Sequence, residues 1–381
     1  MLVAEAWLCQ ASRMTSREPL QGRGFWYGRD LERSGDWIHT LGAVEQREIA
    51  AALAAVKRRG IALYEVTRDD FPLDRTVTFL ARVRDGLENG RGMARVRGLD
   101  AGGYDERDLR WIFWGLGAHL GVPVYQNTRG EIMGEVRDET RDANPTYVDG
   151  GPGRIKSSRA RARSTGPLRF HTDRADAIAL LCVRNARAGG VSKLASAVTV
   201  YNEMLARRPD LLELLCQDLW RARPEDEDGI VPSRVFALPL FGVRDGKLTT
   251  QYSRTYVEQA QEFPEVPRVT PAQVEAMDLW AEIAEAVCLQ SPFEPGDLQV
   301  LNNHVIYHGR TAYEDDAATH QERLLLRLWL ALPNSRALPD GFDTFWGATA
   351  AGVLRGGVPQ RDQRRAPSIA VGTPIAARVD A

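Results

Sequence analysis

The run RLLLRLWLAL at residues 323–332 sets two arginines four positions apart in an otherwise apolar, strand-like stretch. Side chains on a strand alternate between its faces, so Arg323 and Arg327 point to the same side. Any fold that buries this strand must answer both guanidiniums, because an unpaired one in an apolar interior is costly. A dicarboxylic small molecule gripped by Arg323 through bidentate pairing is one answer. Ion pairs with Glu or Asp at the protein surface are the commoner fate of arginines.

Two histidine motifs precede this strand. LRFHTDRAD carries His171, Thr172 and Asp173, and NNHVIYHGR carries His304 and His308. Residues i and i+2 of a strand share a face, so His171 and Asp173 can close on one ion while Thr172 turns away. Two imidazoles and one carboxylate are the set that holds non-haem Fe(II) on one face, leaving the other open to substrate and oxygen. Taken alone, His-x-Asp is a weak signal in a chain with six histidines. His304 shares strand parity with His308 and reads as a packed or hydrogen-bonded neighbour, while His39, His119 and His320 have no companion ligands.

The totals exclude several classes. Among 381 residues, 49 Lys plus Arg balance 51 Asp plus Glu, so no global field points to nucleic acid or to a membrane surface. The four cysteines, Cys9, Cys182, Cys216 and Cys288, lie far apart and suggest neither a zinc knuckle nor a disulfide framework. With no basic leader and no long apolar run, the expectation is a soluble cytoplasmic protein. Its partner is a small molecule, with self-association into a homo-oligomer left open.

Along the chain, residues 1–35 read as an irregular arm, 36–335 as one catalytic domain, and 336–381 as an extension in which order fades. Within the domain, VEQREIAAALAAVK, FPLDRTVTFLARVRDGLENG and YDERDLRWIFWGLGAHLG read as helices. PAQVEAMDLWAEIAEAVCLQ is a further helix with Val274, Met277, Trp280, Ala284 and Val287 on one face. IALYEV, MARVRGL, AIALLCV, KLASAVTV and DLQVLNN read as strands, VYNEMLARRPDLLELL as a helix interrupted at Pro209, and Asp245-Gly246 as a hairpin turn. Residues 140–167 read as a mobile loop whose Lys156, Arg159, Arg161 and Arg163 are either solvated charges or a closure over an acidic substrate.

The stretches LRFHTD, GGVSKLASAVTVYNEM, SPFEPGDLQVLNNHVIYHGR and RLLLRLWL, in that order over about residues 90–335, resemble the TauD/TfdA family of Fe(II)- and 2-oxoglutarate-dependent dioxygenases. The resemblance implies a mainly β core in an α+β chain, a double-stranded β-helix or jelly roll with flanking helices. It implies that His171, Asp173 and His308 are both the catalytic centre and the iron ligands. Arg323 then grips the far carboxylate of 2-oxoglutarate with help from Ser192, Arg327 meets an acidic group of the substrate, and Asn303 supports the last strands. His308 is preferred to His304 because Gly309 and Arg310 follow it and because its distance to Arg323 fits the family. Gln126 and Asn127, with Arg254 opposite, are expected at the substrate wall.

Chemically, the resemblance implies hydroxylation or desaturation of a small polar or carboxylated metabolite, with O2 consumed and succinate and CO2 released. Halogenases related to this family replace the ligand carboxylate by a small residue, so Asp173 argues against halogenation. Two alternatives use the same residues: a jelly-roll binding protein without turnover, and a zinc hydrolase that works without oxygen.

Overall fold

The computed structural model describes residues 18–140, 142, 158–224, 227–360 and 371–375. Two β-sheets face each other and share one apolar layer. The larger carries strands Ile38–Thr40, Met93–Arg97, Leu298–Asn302, Ala177–Arg184, Leu324–Ala331 and Val122–Val124 in that order, with Met133–Val136 also paired to Leu324–Ala331. The smaller runs Leu289–Ser291, Ser192–Ser196, Ile306–Arg310, Leu168–His171. This is the double-stranded β-helix with flanking helices that the sequence implied.

Strand alternation explains how the apolar runs are used. In Leu324–Ala331, the residues Leu324, Leu326, Leu328 and Leu330 pack outward in the cluster that also holds the helices Ala43–Arg59, Arg75–Asn89 and Glu106–Leu120. Leu325, Trp329 and Ala331 pack inward between the sheets, and Arg327 shares their parity. Ala177–Arg184 divides the same way, with Ala177, Ala179 and Leu181 outward and Ile178, Leu180 and Cys182 inward. Strands buried on both faces therefore read as continuous apolar stretches. On the smaller sheet Tyr307 packs outward beside the helices Ala197–Arg207, Pro209–Leu215 and Pro271–Val287, while Leu194 and Ile306 face inward.

Local chemistry sets the helix ends. Thr270 and Gln273 form a capping box with Pro271 at the first helical position, and Asp105 accepts from the Asp108 amide. Gly115 lets the ring of Phe71 lie against the helix Glu106–Leu120, where an added Cβ would come within 2.5 Å of that ring. The Asp245-Gly246 hairpin forms as expected, both residues adopting positive φ.

Four expectations are corrected. IALYEV is no strand: Leu63–Glu65 is a single 3-10 turn, since β-prone residues without a neighbouring ladder gain nothing from extension. KLASAVTV is a strand only to Ser196, whose hydroxyl caps a new helix by accepting from the Thr199 amide. The buried stripe of Pro271–Val287 runs through Ala276, Met277, Trp280, Ile283, Ala284 and Val287, leaving Val274 exposed. In the arm, Gly28–Ser34 is a helix with Leu31 buried, and Gly28 lies directly against the Cys288 carbonyl. Residues 1–17 are outside the described residues.

The largest correction concerns the end of the chain. Residues 336–358 pack into the molecule with Leu338, Phe342, Trp346 and Leu354 buried. Arg355, wholly buried, donates from Nε to Asp176 Oδ1 at 2.6 Å and reaches the Arg336 carbonyl at 2.8 Å. Asp176 also accepts from His304 Nε2 at 2.8 Å and from the Leu332 amide at 3.0 Å, so one carboxylate ties this segment to the core strands. His304 is thereby a structural partner, as expected. Residues 361–370 and 376–381 are outside the described residues, and no helix among the described residues is long and apolar enough to cross a membrane.

Burial works to raise the Asp176 carboxyl, but Arg355 first and then His304 overcome it and hold it down at about 2. A carboxyl depressed on folding stabilises the protein above its unfolded value and loses that contribution as pH falls toward the folded value. Asp176→Asn leaves Arg355 buried without its counter-charge and is expected to cost about 3 kcal/mol, read as a lower urea midpoint at pH 7. The deficit against the parent should shrink below pH 4; an unchanged midpoint at pH 7 would contradict this role.

Candidate active site

His171 closes the strand Leu168–His171, and its antiparallel Cα partner is His308 on Ile306–Arg310. Facing positions of neighbouring strands bring the two rings together at a centroid distance of 4.2 Å. Gly309 is required beside them, since a Cβ there would approach the Leu168 carbonyl to 2.8 Å. The chain leaves the strand after His171, so Asp173 is placed by a different device from strand parity. Its amide donates to Asn303 Oδ1 at 3.1 Å, while Thr172 is held by the Tyr252 carbonyl. Asn303, expected to support the last strands, holds the backbone of the ligand Asp173.

One ligand atom from each of His171, Asp173 and His308 lies within 4.8 Å of the others. His171 Nε2 stands 3.6 Å from Asp173 Oδ1, and His308 Nε2 stands 3.7 Å from Asp173 Oδ2. His171 Nδ1 meets the Arg169 carbonyl at 3.0 Å, which assigns the proton to Nδ1 and leaves the Nε2 lone pair toward the other ligands. Burial, then the neighbouring His171, pushes His308 down to about 3, so it is neutral and able to coordinate at physiological pH. Burial would raise Asp173, but Arg327, then His308 and His171, and the Trp329 N–H at 2.9 Å outweigh it and keep it ionised. Two imidazoles and one carboxylate on one side of a gap suit Fe(II).

Two cavities meet at these residues, and His171, Arg327 and Ala162 line both. The first, about 490 Å³ with its mouth, has Ser192, Phe293, Gln299, His308, Arg310 and Arg323 in its wall. Arg323 is buried, and Gly190 makes room for it, since a Cβ there would meet its guanidinium at 2.5 Å. Its NH1 donates to Asn185 Oδ1 at 2.8 Å, its Nε has no partner, and no carboxylate lies within salt-bridge distance of it among the described residues. Arg310 is likewise buried and is answered by the Ser164 and Gly166 carbonyls, each at 2.6 Å. Burial lowers the Arg310 pKa to about 10, more than the nearby Tyr313, Asp315 and Asp138 offset. Two buried cations without carboxylate partners fit a dicarboxylate such as 2-oxoglutarate.

The second cavity, about 540 Å³ with its mouth, lies on the other side of the triad. Arg174, Glu227, Gln251, Tyr256, Trp329 and Phe345 contribute to its wall. Arg174 bonds to Glu227 and to the Phe345 carbonyl, so the segment thought to be an unordered extension builds one side of this cavity. Arg327 projects inward as expected, lying 5.4 Å over the Trp329 ring with NH1 4.0 Å from Asp173.

Three expected wall residues are elsewhere. Gln126 is wholly buried behind Arg327, accepting from its Nε at 2.6 Å and donating to its carbonyl at 2.8 Å, which makes it the arginine's clamp. Asn127 closes the turn to Glu131 by accepting from the Arg129 and Glu131 amides. Arg254 heads a surface helix and pairs with Glu258 and Asp278. In the basic loop, Arg163 is buried in ion pairs with Glu131 and Glu139 at 2.5 Å each, contrary to a solvated charge. Arg161 presents its carbonyl to Arg310, while Lys156 and the side chain of Arg159 are outside the described residues. Arg174, Arg310 and Trp329 were the functional residues overlooked; Arg174 directly follows HTD, and Trp329 shares the parity of Arg327.

Comparison with known proteins gives the family. The family model "Taurine catabolism dioxygenase TauD, TfdA family" matches residues 58–329. The chain is 31% identical over 348 residues to FR-33289 synthase of Streptomyces rubellomurinus, spanning 88% of this chain and 97% of that protein. It is 29% identical over 315 residues to a taurine hydroxylase-like protein of Stachybotrys chartarum, spanning 80% of this chain and 77% of that one. Among solved structures, asparagine oxygenase in complex with Fe(II), hydroxyasparagine and succinate superposes with a TM-score of 0.59 at 16% identity, covering 77% of this chain and 93% of its own. The non-haem iron oxygenase OrfP with Fe and alpha-ketoglutaric acid gives 0.55 at 14% identity, covering 77% and 94%. The chain belongs to the TauD/TfdA family and is a Fe(II)- and 2-oxoglutarate-dependent dioxygenase.

Proposed function

We propose that His171, Asp173 and His308 hold the iron, that Arg323 and Ser192 bind the far carboxylate of 2-oxoglutarate, and that Arg327 receives an anionic group of a small polar substrate. The observation that carries this reading is the buried Arg323 guanidinium, which lines the cavity behind His308 with no carboxylate partner among the described residues. A dicarboxylate spanning from Arg323 to the triad would supply the missing charge. When bound, Fe(II) and 2-oxoglutarate supply an O2-dependent oxidation that inserts oxygen into a C–H bond of the substrate as the cosubstrate becomes succinate and CO2.

The chain's own residues position and exclude. Gln126 holds Arg327 at the junction of the two cavities, and Trp329 holds one oxygen of Asp173 so that the carboxylate keeps its orientation. Apolar Leu180, Leu325 and Phe293 around the first cavity keep water from the cosubstrate. Among the described residues lining the substrate side, Arg174 and Arg327 face one carboxylate beyond the ligands, Glu227, which supports an anionic ligand. The solved relatives include complexes with hydroxyasparagine and with hydroxyarginine, which are small polar metabolites.

Anaerobic addition of Fe(II) and 2-oxoglutarate to the protein is expected to give a weak visible charge-transfer band, and His308→Ala should abolish it. Absence of the band from the parent protein at saturating ligand would overturn the assignment. Arg323→Gln should retain the band but need at least about tenfold more 2-oxoglutarate to develop it, given about 1.5–3 kcal/mol for hydrogen bonds to a charged group. A metabolite library screened for succinate formation above the uncoupled background should return acidic compounds as hits, and Arg327→Gln should lose that stimulation. Hits uniformly lacking an anionic group would exclude Arg327 as the anchor.

A further inference from the structure

Behind the cosubstrate cavity lies a buried chain of hydrogen bonds that starts at a guanidinium and ends at the Ser192 hydroxyl. Arg95 is wholly buried on Met93–Arg97, and Gln299 on Leu298–Asn302 is its direct Cα partner across the ladder. Arg95 NH1 donates to Asp297 Oδ2 at 2.7 Å and to the Pro292 carbonyl at 3.0 Å, and its guanidinium lies 4.3 Å over the Phe293 ring. Its NH2 donates to Gln299 Oε1 at 2.7 Å. Gln299 Nε2 in turn crosses from the larger sheet to the smaller and donates to Ser192 Oγ at 3.2 Å.

The direction of every bond in this chain is forced. A guanidinium has donors only, so the atom of Gln299 facing Arg95 must be its oxygen and the atom facing Ser192 must be its NH2. The hydroxyl of Ser192 therefore accepts from Gln299, and its single proton is left to donate elsewhere. Among the described residues it donates to no protein atom, and both Ser192 and Gln299 line the cavity that contains Arg323.

We propose that Arg95 and Gln299 are positioning residues that fill one acceptor position of the Ser192 hydroxyl and so orient its O–H to donate toward the far carboxylate of the cosubstrate. A free serine hydroxyl can rotate to donate or to accept; here one of its acceptor positions is already filled, and its O–H is aimed before the ligand arrives. The inference rests on the proposed cosubstrate site and adds to it Gln299, which bonds to Ser192, and Arg95, which fixes Gln299.

The test is anaerobic titration of the Fe(II)-loaded protein with 2-oxoglutarate and with 2-oxopentanoate, which lacks the far carboxylate. Ser192→Ala and Gln299→Met are each expected to weaken 2-oxoglutarate binding about tenfold, and the double variant should be no weaker than either single one. Binding of 2-oxopentanoate should be alike in all four proteins. The proposal is overturned if Gln299→Met leaves 2-oxoglutarate binding unchanged, if its effect adds in full to that of Ser192→Ala, or if 2-oxopentanoate weakens equally. Should Gln299→Met fail to fold, Gln299→Glu keeps the acceptor for Arg95 but claims the serine proton. Its penalty must then shrink when Ser192 is already Ala, and an undiminished penalty counts against the chain. A parent protein that shows no band would instead undo the cosubstrate site itself.

Discussion

Burying a guanidinium costs on the order of several kcal/mol unless its charge and its donors are answered, and this molecule places many arginines in its interior. Four are met by carboxylates: Arg95 by Asp297, Arg163 by Glu139 and the partly exposed Glu131, Arg336 by Glu88, and Arg355 by Asp176. Two of these pairs, Arg336 with Glu88 and Arg355 with Asp176, fix the C-terminal segment to the body of the molecule. Arg310, Arg323 and Arg327 are treated differently. Carbonyls and side-chain amides meet part of their N–H groups, and among the described residues their one carboxylate contact is the 4.0 Å approach of Arg327 to the metal ligand Asp173, so positive charge is left in excess. That surplus is what the cavities offer to an anion.

Arg327 joins the two sides of the site. It lines both cavities, is locked by Gln126 through side chain and backbone, and lies close enough to Asp173 to be the strongest influence keeping that carboxylate ionised. An anion arriving on the substrate side would share the same guanidinium with the metal ligand. Substrate arrival and the electrostatics at the metal are thus connected through one side chain whose position does not depend on either ligand.

Much of the cosubstrate side was legible because it is built from strand positions of known parity. His308 and Arg310 alternate with the outward Tyr307, and Arg323 and Arg327 sit where a four-residue spacing puts them. Asp173 was also found, although through the wrong device: the strand ends at His171, and Asn303 does what parity was expected to do. Gln126 and Asn127 were placed near the right element but assigned to the wrong neighbour, because whether an amide faces a cavity or an arginine depends on packing from a strand two hundred residues away. Residues 336–358 were misjudged for a related reason. Their Gly, Pro and Arg content suits disorder in isolation, and only the carboxylate of Asp176 and the carbonyls around Arg355 make an ordered wall from them.

The same division explains why the reaction is easier to read than the substrate. Ser192, Gln299, His308, Arg310 and Leu325 reach the first cavity from paired strands, whose inward positions recur with a period of two. Glu227, Tyr256 and Phe345 reach the second from short helices and turns inserted between or after the strands, where no period links sequence to direction. Iron and cosubstrate are common to the chemistry, so rigid ladders can hold them; the substrate is met by connecting segments that can change without disturbing a strand pair. Arg174 stands at the boundary: it follows the HTD motif directly, yet its guanidinium is aimed by Glu227 and by the Phe345 carbonyl. Its direction is therefore set by the two inserted segments, which shape this wall of the cavity by orienting a residue that the HTD motif brings to it.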